Sequence, residues 1–364
     1  MPALSQTAFA IETLLQCTGY DPKFINNGSN ISAEKIIPPA LREKLLPVVN
    51  GNSKGILNYT GMSVFFNKKR RVPFFAAYNI DGKLKADTDT RPKFRTDPRM
   101  QADEQLDHPF YGLITDFTEF EIGHMASNNE MGRGKDGALR AYQTFHFTNS
   151  VPQAEKLNTG IWKGLESYVI SEAATLKDNK RISVFTGPVL KSGDPKYKKD
   201  ESFRVPLLFF KVIVFPTSKG LFSTAFMMSH EKKLIEDNMI DAGPQALEEG
   251  PFADFKYKKV FQVNVSLVEK ETGLVFTWPG VKKINIPNVK NQVKKIKSIK
   301  DAKDAADAIK SNSVEALPQI KPQQKDDAQK AIAKGLVPEA LLSNADLTPK
   351  ELKHKKFRLN MVLP

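Results

Sequence analysis

Two rhythms of apolar residues run along the chain. In the centre they form short, dense runs rich in Phe, Val and Ile: Phe74–Tyr78, Thr144–Thr148, Ile182–Thr186, Leu207–Phe215 and Val260–Leu267. Runs of this length and composition predict strands, and the turn chemistry of Asp81-Gly82 and Ser192-Gly193-Asp194-Pro195 marks where the chain reverses. Between them, from Thr159 to about Leu176, Ile161, Leu165, Tyr168, Val169 and Ala173 recur at helical spacing and predict one buried helix face. Two shorter helices are expected near the start, over Ala8–Leu15 and Pro39–Leu46, the second with its proline in the first turn. Strands and helices alternate irregularly, with no repeated βαβ unit, so the fold class expected is α+β with a mixed, largely antiparallel sheet.

After Pro279-Gly280 the pattern changes. Lys282, Lys283, Lys290, Lys294, Lys295, Lys297, Lys300 and Lys303 make a basic stretch that runs into an Ala/Asp/Lys helix pattern, and Pro318, Lys321 and Pro322 read as a linker. Further short helices are expected over Ala328–Lys334 and Thr348–His354, the latter opening on the capping box Thr348-Pro349-Lys350-Glu351. The expected organisation is an accessory segment over 1–57, a dense domain over 58–280 and a basic, partly helical extension over 281–364.

Composition narrows the classes. At 364 residues, with 40% hydrophobic and 9% aromatic residues, the chain has the make-up of a globular protein and not of a disordered one. Its net charge of +13 makes a polyanion a natural partner, although a solvated helix face is the commoner use of such lysines as those of the tail. Cys17 is the single cysteine, which excludes an intramolecular disulfide and thiolate-built metal centres, so any metal must be held by oxygen or imidazole. No Lys or Arg precedes Lys23 and Glu12 interrupts the first apolar run, unlike a signal or transit peptide. No segment approaches the roughly 20 apolar residues that span a bilayer. The expectation is a cytoplasmic protein without a membrane partner, leaderless export remaining open.

Three segments carry candidate chemistry: Glu121-Ile122-Gly123-His124-Met125-Ala126, Phe147-Thr148-Asn149-Ser150-Val151-Pro152-Gln153, and Leu157-Asn158-Thr159-Gly160-Ile161-Trp162-Lys163-Gly164-Leu165-Glu166. Hydrolysis of a phosphodiester needs an activated water, relief of charge on the phosphoryl oxygens and stabilisation of the leaving alkoxide. A histidine can do the first and a hydrated divalent metal the other two. A lone histidine is more often structural, and an asparagine ahead of a helix is more often a cap. Here, however, Asn158 precedes Glu166 by about two helical turns, and one amide oxygen plus a carboxylate that holds metal-bound waters makes a sufficient site for Mg²⁺. His146 reads as a packed residue on a strand face, and Trp162 and Trp278 as core aromatics.

Together these segments resemble the DNA/RNA non-specific endonuclease family, the ββα-metal or His-Me finger nucleases. Thr90-Arg91-Pro92-Lys93-Phe94-Arg95-Thr96-Asp97-Pro98, Val184-Phe185-Thr186-Gly187-Pro188-Val189, Val205-Pro206 with Phe210-Lys211-Val212, and Glu269-Lys270-Glu271-Thr272-Gly273-Leu274 extend the resemblance in order across 58–280. It implies that His124 is the general base, Asn158 the direct Mg²⁺ ligand (Mn²⁺ substituting) and Glu166 the carboxylate that orients metal-bound water. It further implies that Arg91 contacts the scissile phosphate and that Asn149 positions the histidine region. The family's Asp-Arg-Gly-His is Glu-Ile-Gly-His here, and Ile170 stands where relatives carry a second arginine; Arg133, Lys135 and Arg140 are candidates to compensate, although a solvated loop charge is the commoner reading of each.

The function expected from the resemblance is Mg²⁺-dependent, sequence-non-specific cleavage of DNA, RNA or both, leaving 5′-phosphate ends. Such an activity inside a cell calls for restraint: an inhibitory or activating protein partner, proteolysis, or self-association as a homodimer. A toxin or defence effector fits this pattern. The alternative is a non-catalytic protein that binds nucleic acid on a degenerate nuclease fold.

Overall fold

In the computed structural model the described residues are 9–25, 28–45, 55–85, 91–111, 120–154, 157–158, 162–176, 180–241, 260–286 and 293–296. Helices α1 (Ile11–Leu15) and α2 (Pro39–Arg42) precede β1 (Ile56–Tyr59), β2 (Met62–Asn67) and β3 (Val72–Asp81). Then come β4 (Glu121–His124), α3 (Asn128–Met131), α4 (Gly137–Gln143), β5 (Ser150–Gln153) and α5 (Lys163–Thr175). The second half holds β6 (Arg181–Val189), β7 (Lys196–Tyr197), β8 (Asp200–Arg204), β9 (Leu208–Thr217), β10 (Gly220–Ser229), α6 (Glu231–Glu236), β11 (Val260–Val263), α7 (Val265–Thr272), β12 (Val281–Lys283) and β13 (Val293–Ile296).

A nine-stranded sheet in the order β1-β2-β3-β6-β9-β10-β11-β13 organises the molecule, antiparallel throughout except where β12 adds to β10 in parallel. This is the α+β, largely antiparallel architecture expected. Both faces of its centre are covered, which is why β9 reads as an almost continuous apolar run and not as an alternation. On one face Tyr78, Val184, Phe209, Ile213 and Phe226 pack against Leu165, Val169 and Ala173 of α5. On the other, Phe75, Phe185, Phe210 and Val212 meet Ile31, Ile36 and Ile37 of the N-terminal segment and Val268 of α7. Backbone and indole bonds tie that segment down: Val275 N donates to Ile36 O at 2.9 Å and Trp278 Nε1 to Ser32 O at 3.0 Å.

Three expectations about elements are corrected. Thr144–Thr148 is not a strand: Thr144 closes α4 and Phe147–Asn149 is a 3-10 turn, a path fixed by buried polar groups that bond back to the local backbone, such as Thr144 Oγ1 to Ala141 O at 2.6 Å. Val260–Leu267 is half strand and half helix, because Asn264 leaves the sheet and α7 starts at Val265. The expected helix over Pro39–Leu46 is a single turn that ends at Arg42. The sheet also continues past the compositional break at 280, through β12 and β13, with Ile284 and Ile286 buried between them. The helices expected beyond 300 lie outside the described residues.

Candidate active site

β4 and β5 pair antiparallel in register, with Glu121 opposite Gln153 and His124 opposite Ser150, and α5 follows. Glycine before the histidine leaves room for the facing side chain: a Cβ on Gly123 would lie 2.2 Å from Gln153 Oε1. The backbone beyond His124 is then held by one residue, fully buried Asn149. Its carbonyl accepts from Met125 N at 2.8 Å and its Oδ1 from Ala126 N at 3.0 Å, while its Nδ2 donates to Ala126 O and Thr144 O, both at 2.9 Å.

The His124 ring stands between Phe94 (ring centroids 4.7 Å apart) and Phe145 (4.8 Å). Its Nε2 is buried and has no hydrogen-bond partner among the described residues. Burial in this aromatic setting, reinforced by the guanidinium of Arg91, pushes its pKa down to about 3, so the imidazole is neutral at physiological pH. Arg91 itself is exposed.

Asn158 lies after β5, its backbone N donating to Ala154 O at 3.1 Å, and its Nδ2 donates to Glu121 Oε2 at 2.7 Å. That bond commits the nitrogen end of the amide and fixes the direction of Oδ1. Glu166, in the first turn of α5, is 7% exposed. Burial and the neighbouring carboxylate of Glu130 push its pKa up to about 8, against the opposing pull of Lys211 and Ser127. No hydrogen bond joins His124, Asn158 and Glu166 to one another among the described residues; Asn158 is tied to β4 through Glu121, and Glu166 lies beside Glu130 of α3. Ile122 and Ile170, at the positions of the expected arginines, are part-buried and pack on the rim of the core.

Several residues of the site were not singled out from sequence. Glu130 and Lys211 form a fully buried ion pair of 2.9 Å, and Lys211 Nζ also donates to Tyr78 Oη at 2.6 Å. Ser127 caps α3, its Oγ donating to Glu130 Oε2 at 2.9 Å. The only hint was one lysine in the apolar run Phe209-Phe210-Lys211-Val212-Ile213, where alternation sends it to the same face as Phe209 and Ile213. His230, which lacked a local pattern, is buried with Nε2 at 2.8 Å from Pro206 O and Nδ1 accepting from Ala154 N at 3.1 Å. It therefore braces the residue whose carbonyl receives Asn158. His146 is a core residue, fully buried, with Nδ1 2.8 Å from Gln143 O, although not on a strand. Trp162 and Trp278 are core residues as expected.

Among the described residues no group of three or more His, Cys, Asp and Glu comes together as a ligand set. The donors that are present, one amide oxygen of fixed direction and a nearby buried carboxylate, fit a hard, largely hydrated cation that takes few protein ligands. Among the described residues no helix is long and apolar enough to cross a membrane.

Several known proteins are similar to this chain in sequence. A 250-residue match, 29% identical, covers 65% of this chain and 36% of an uncharacterised protein, y4fB, of Sinorhizobium fredii. The mitochondrial nuclease EXOG of Danio rerio is 28% identical over 62% of this chain and 61% of its own length, and that of Homo sapiens 27% over 60% and 55%. The chain thus spans from about a third to three-fifths of the length of these curated relatives. A crystal structure of the EndoG/EndoGI complex aligns over 65% of this chain and 91% of that one, with a TM-score of 0.45 and 19% identity. The profile of the DNA/RNA non-specific endonucleases matches residues 44–283, which takes in the whole β4–β5–α5 unit and all of the sheet except β13. The chain belongs to the DNA/RNA non-specific endonuclease family.

Proposed function

We propose that the protein is an Mg²⁺-dependent, sequence-non-specific endonuclease acting on DNA, RNA or both. The observation that carries this reading is His124: a neutral imidazole, on a backbone that Asn149 holds just beyond it, with an unpartnered Nε2 beside the charge of Arg91. That nitrogen is placed to accept a proton from an attacking water as the new P–O bond forms and the P–O3′ bond breaks, leaving a 5′-phosphate. Arg91 offers charge-assisted hydrogen bonds to the non-bridging oxygens. Asn158 presents Oδ1 as the protein's direct metal ligand, steadied by Glu121, and Glu166 orients the water shell. When bound there, a hard divalent cation relieves the charge that builds on the phosphoryl and leaving oxygens. Contacts to the backbone alone account for the absence of sequence preference. Restraint by a protein partner or by self-association, and service as a toxin or defence effector, belong to the same proposal and rest on the hazard of such chemistry.

Incubation of purified protein with labelled duplex DNA, single-stranded DNA and RNA tests the reading. Cleavage is expected with Mg²⁺, none in EDTA, a fall of about 10²–10⁴-fold or more in His124→Ala, and an Asn158→Ala variant partly rescued by excess metal. The isoleucines at 122 and 170 favour a second reading, a protein that holds nucleic acid without cutting it. Salt-dependent binding unaffected by His124→Ala, with no hydrolysis by the folded protein under any metal condition, would select that one.

A further inference from the structure

Beyond α3 the chain turns through Gly132–Asp136 into α4, and Arg133 in the turn and Arg140 in the helix carry charges that the protein leaves poorly satisfied. Arg133 and Arg140 are both half-buried, and the Nε of each is buried without a hydrogen-bond partner. Arg140 Nη2 donates to the carbonyl oxygen of Arg133, and neither side chain makes an ion pair with a described carboxylate. Asp81 and Asp136 lie close enough to be felt, but burial outweighs them and both guanidinium pKa values are lowered. Asp81 is moreover engaged elsewhere, accepting from Arg181 Nε at 3.3 Å and from Lys83 N at 2.9 Å. Lys83, Lys85 and Lys135 around the turn are exposed.

The turn is built to hold this arrangement. Gly134 N donates to Lys85 O at 3.3 Å and Gly137 N to Gly134 O at 2.8 Å, which fixes both ends of the turn. The stem of Arg140 lies over Gly61 in the β1–β2 turn, where φ is +74° and a Cβ would come within 3.1 Å of Arg140 Cδ. A partly desolvated, unpaired cation is costly, and here the chain carries two, joined through the backbone oxygen of Arg133. An anion with several acceptor oxygens relieves both, and arginine forks match phosphate oxygens in pairs.

The nuclease reading names the anion, and the length of chain to Arg91 bounds its distance from the proposed active site. Lys85, bonded to this turn, is six residues from Arg91, a span of at most about 20 Å of chain. That is roughly half a turn of duplex along its axis. We infer that Arg133 and Arg140 form a second phosphate subsite, gripping the nucleic-acid backbone a few nucleotides from the bond that Arg91 and His124 address. The inference rests on the nuclease reading and deepens it. The pair adds affinity and register but no base recognition, and it supplies positive charge that Ile122 and Ile170 do not.

Binding of a fluorescent 20-base-pair duplex to the full chain, measured by anisotropy from 50 to 300 mM salt in the His124→Ala background, tests it without any need for turnover. Removing both charges with Arg133→Gln and Arg140→Gln is expected to reduce the slope of log K against log salt by about 1.8, at 0.9 per phosphate. Affinity near 0.1 M salt should fall roughly 10–100-fold by the same relation. The Arg133→Lys, Arg140→Lys variant should keep the slope. Arg133→Gln alone, whose side chain makes no hydrogen bond among the described residues, should show about half the slope change even if the double variant folds poorly. An unchanged slope and affinity in both, the result expected if the chain's own carboxylates hold these arginines, overturns the subsite while leaving the nuclease reading intact. A His124→Ala parent that binds no duplex at any salt overturns both.

Discussion

Asn158 and Glu166 owe their placement to residues outside the proposed reacting set. Glu121 accepts from Asn158 Nδ2 at 2.7 Å and so decides which way the amide faces. Replacing it by alanine frees that rotation, and the Mg²⁺ concentration giving half-maximal cleavage should rise about 10–100-fold with little change in the maximal rate. Burial and the neighbouring carboxylate of Glu130 raise the pKa of Glu166 in the ligand-free chain, so a cation bound nearby should expel a proton from it. Calorimetric titration of Mg²⁺ in buffers of different ionisation enthalpy reads that release, and Glu166→Gln should abolish it. His124, Asn149, Asn158 and Glu166 were candidates from the sequence because each sits in a short segment with its own signature. The partners that tune them were not, because Glu130 and Lys211 are 81 residues apart and His230 reaches Ala154 across 76.

The same separation by partners operates among the elements. Strands β3, β6 and β9 follow from their apolar runs, and α5 from its helical spacing, because both faces of the central sheet and one face of that helix bury what they carry. Thr144–Thr148 misleads because its apolar residues serve a loop packed under the site, where Phe145 and Phe147 meet Phe94. The basic stretch after 280 nevertheless contributes β12 and β13 to the sheet, and Ile284 and Ile286 just past β12 are buried. A chain ended after Gly280 should lose about 3–6 kcal/mol of stability from the two buried isoleucines alone, whereas one ended after Ile296 should keep the urea midpoint of a chain with its β13 intact. The ion pair between α3 and β9 sets a second test. Lys211→Met should cost about 3–5 kcal/mol by stranding Glu130, and adding Glu130→Leu should restore much of it.

For the molecule as a whole, burial of neutral histidines ties stability to acidity. His124 and His230 have pKa values lowered to about 3 and about 4, and His146 is lowered as well, all chiefly by burial. Each unfolded histidine takes up a proton near pH 6.5, which the folded one refuses until much lower pH. The unfolded state thus binds more protons in that window, and stability falls as pH drops through it. Between pH 6.5 and 5 the contribution of His230 alone is about 2 kcal/mol. Thermal melts should move steadily down over that range, and less steeply in His230→Gln.

The brace from His230 to Ala154 also orders events in time. During synthesis every polar group assigned to the reaction, from Arg91 to Glu166, emerges before the ribosome has made the two strands that seat them. Lys211 comes 45 residues after Glu166, and His230 a further 19. A nascent chain halted before β10 carries the complete set of reactive side chains without the wall that lines them up. On the proposed nuclease reading, a chain at that stage lacks the ordered site that cleavage requires.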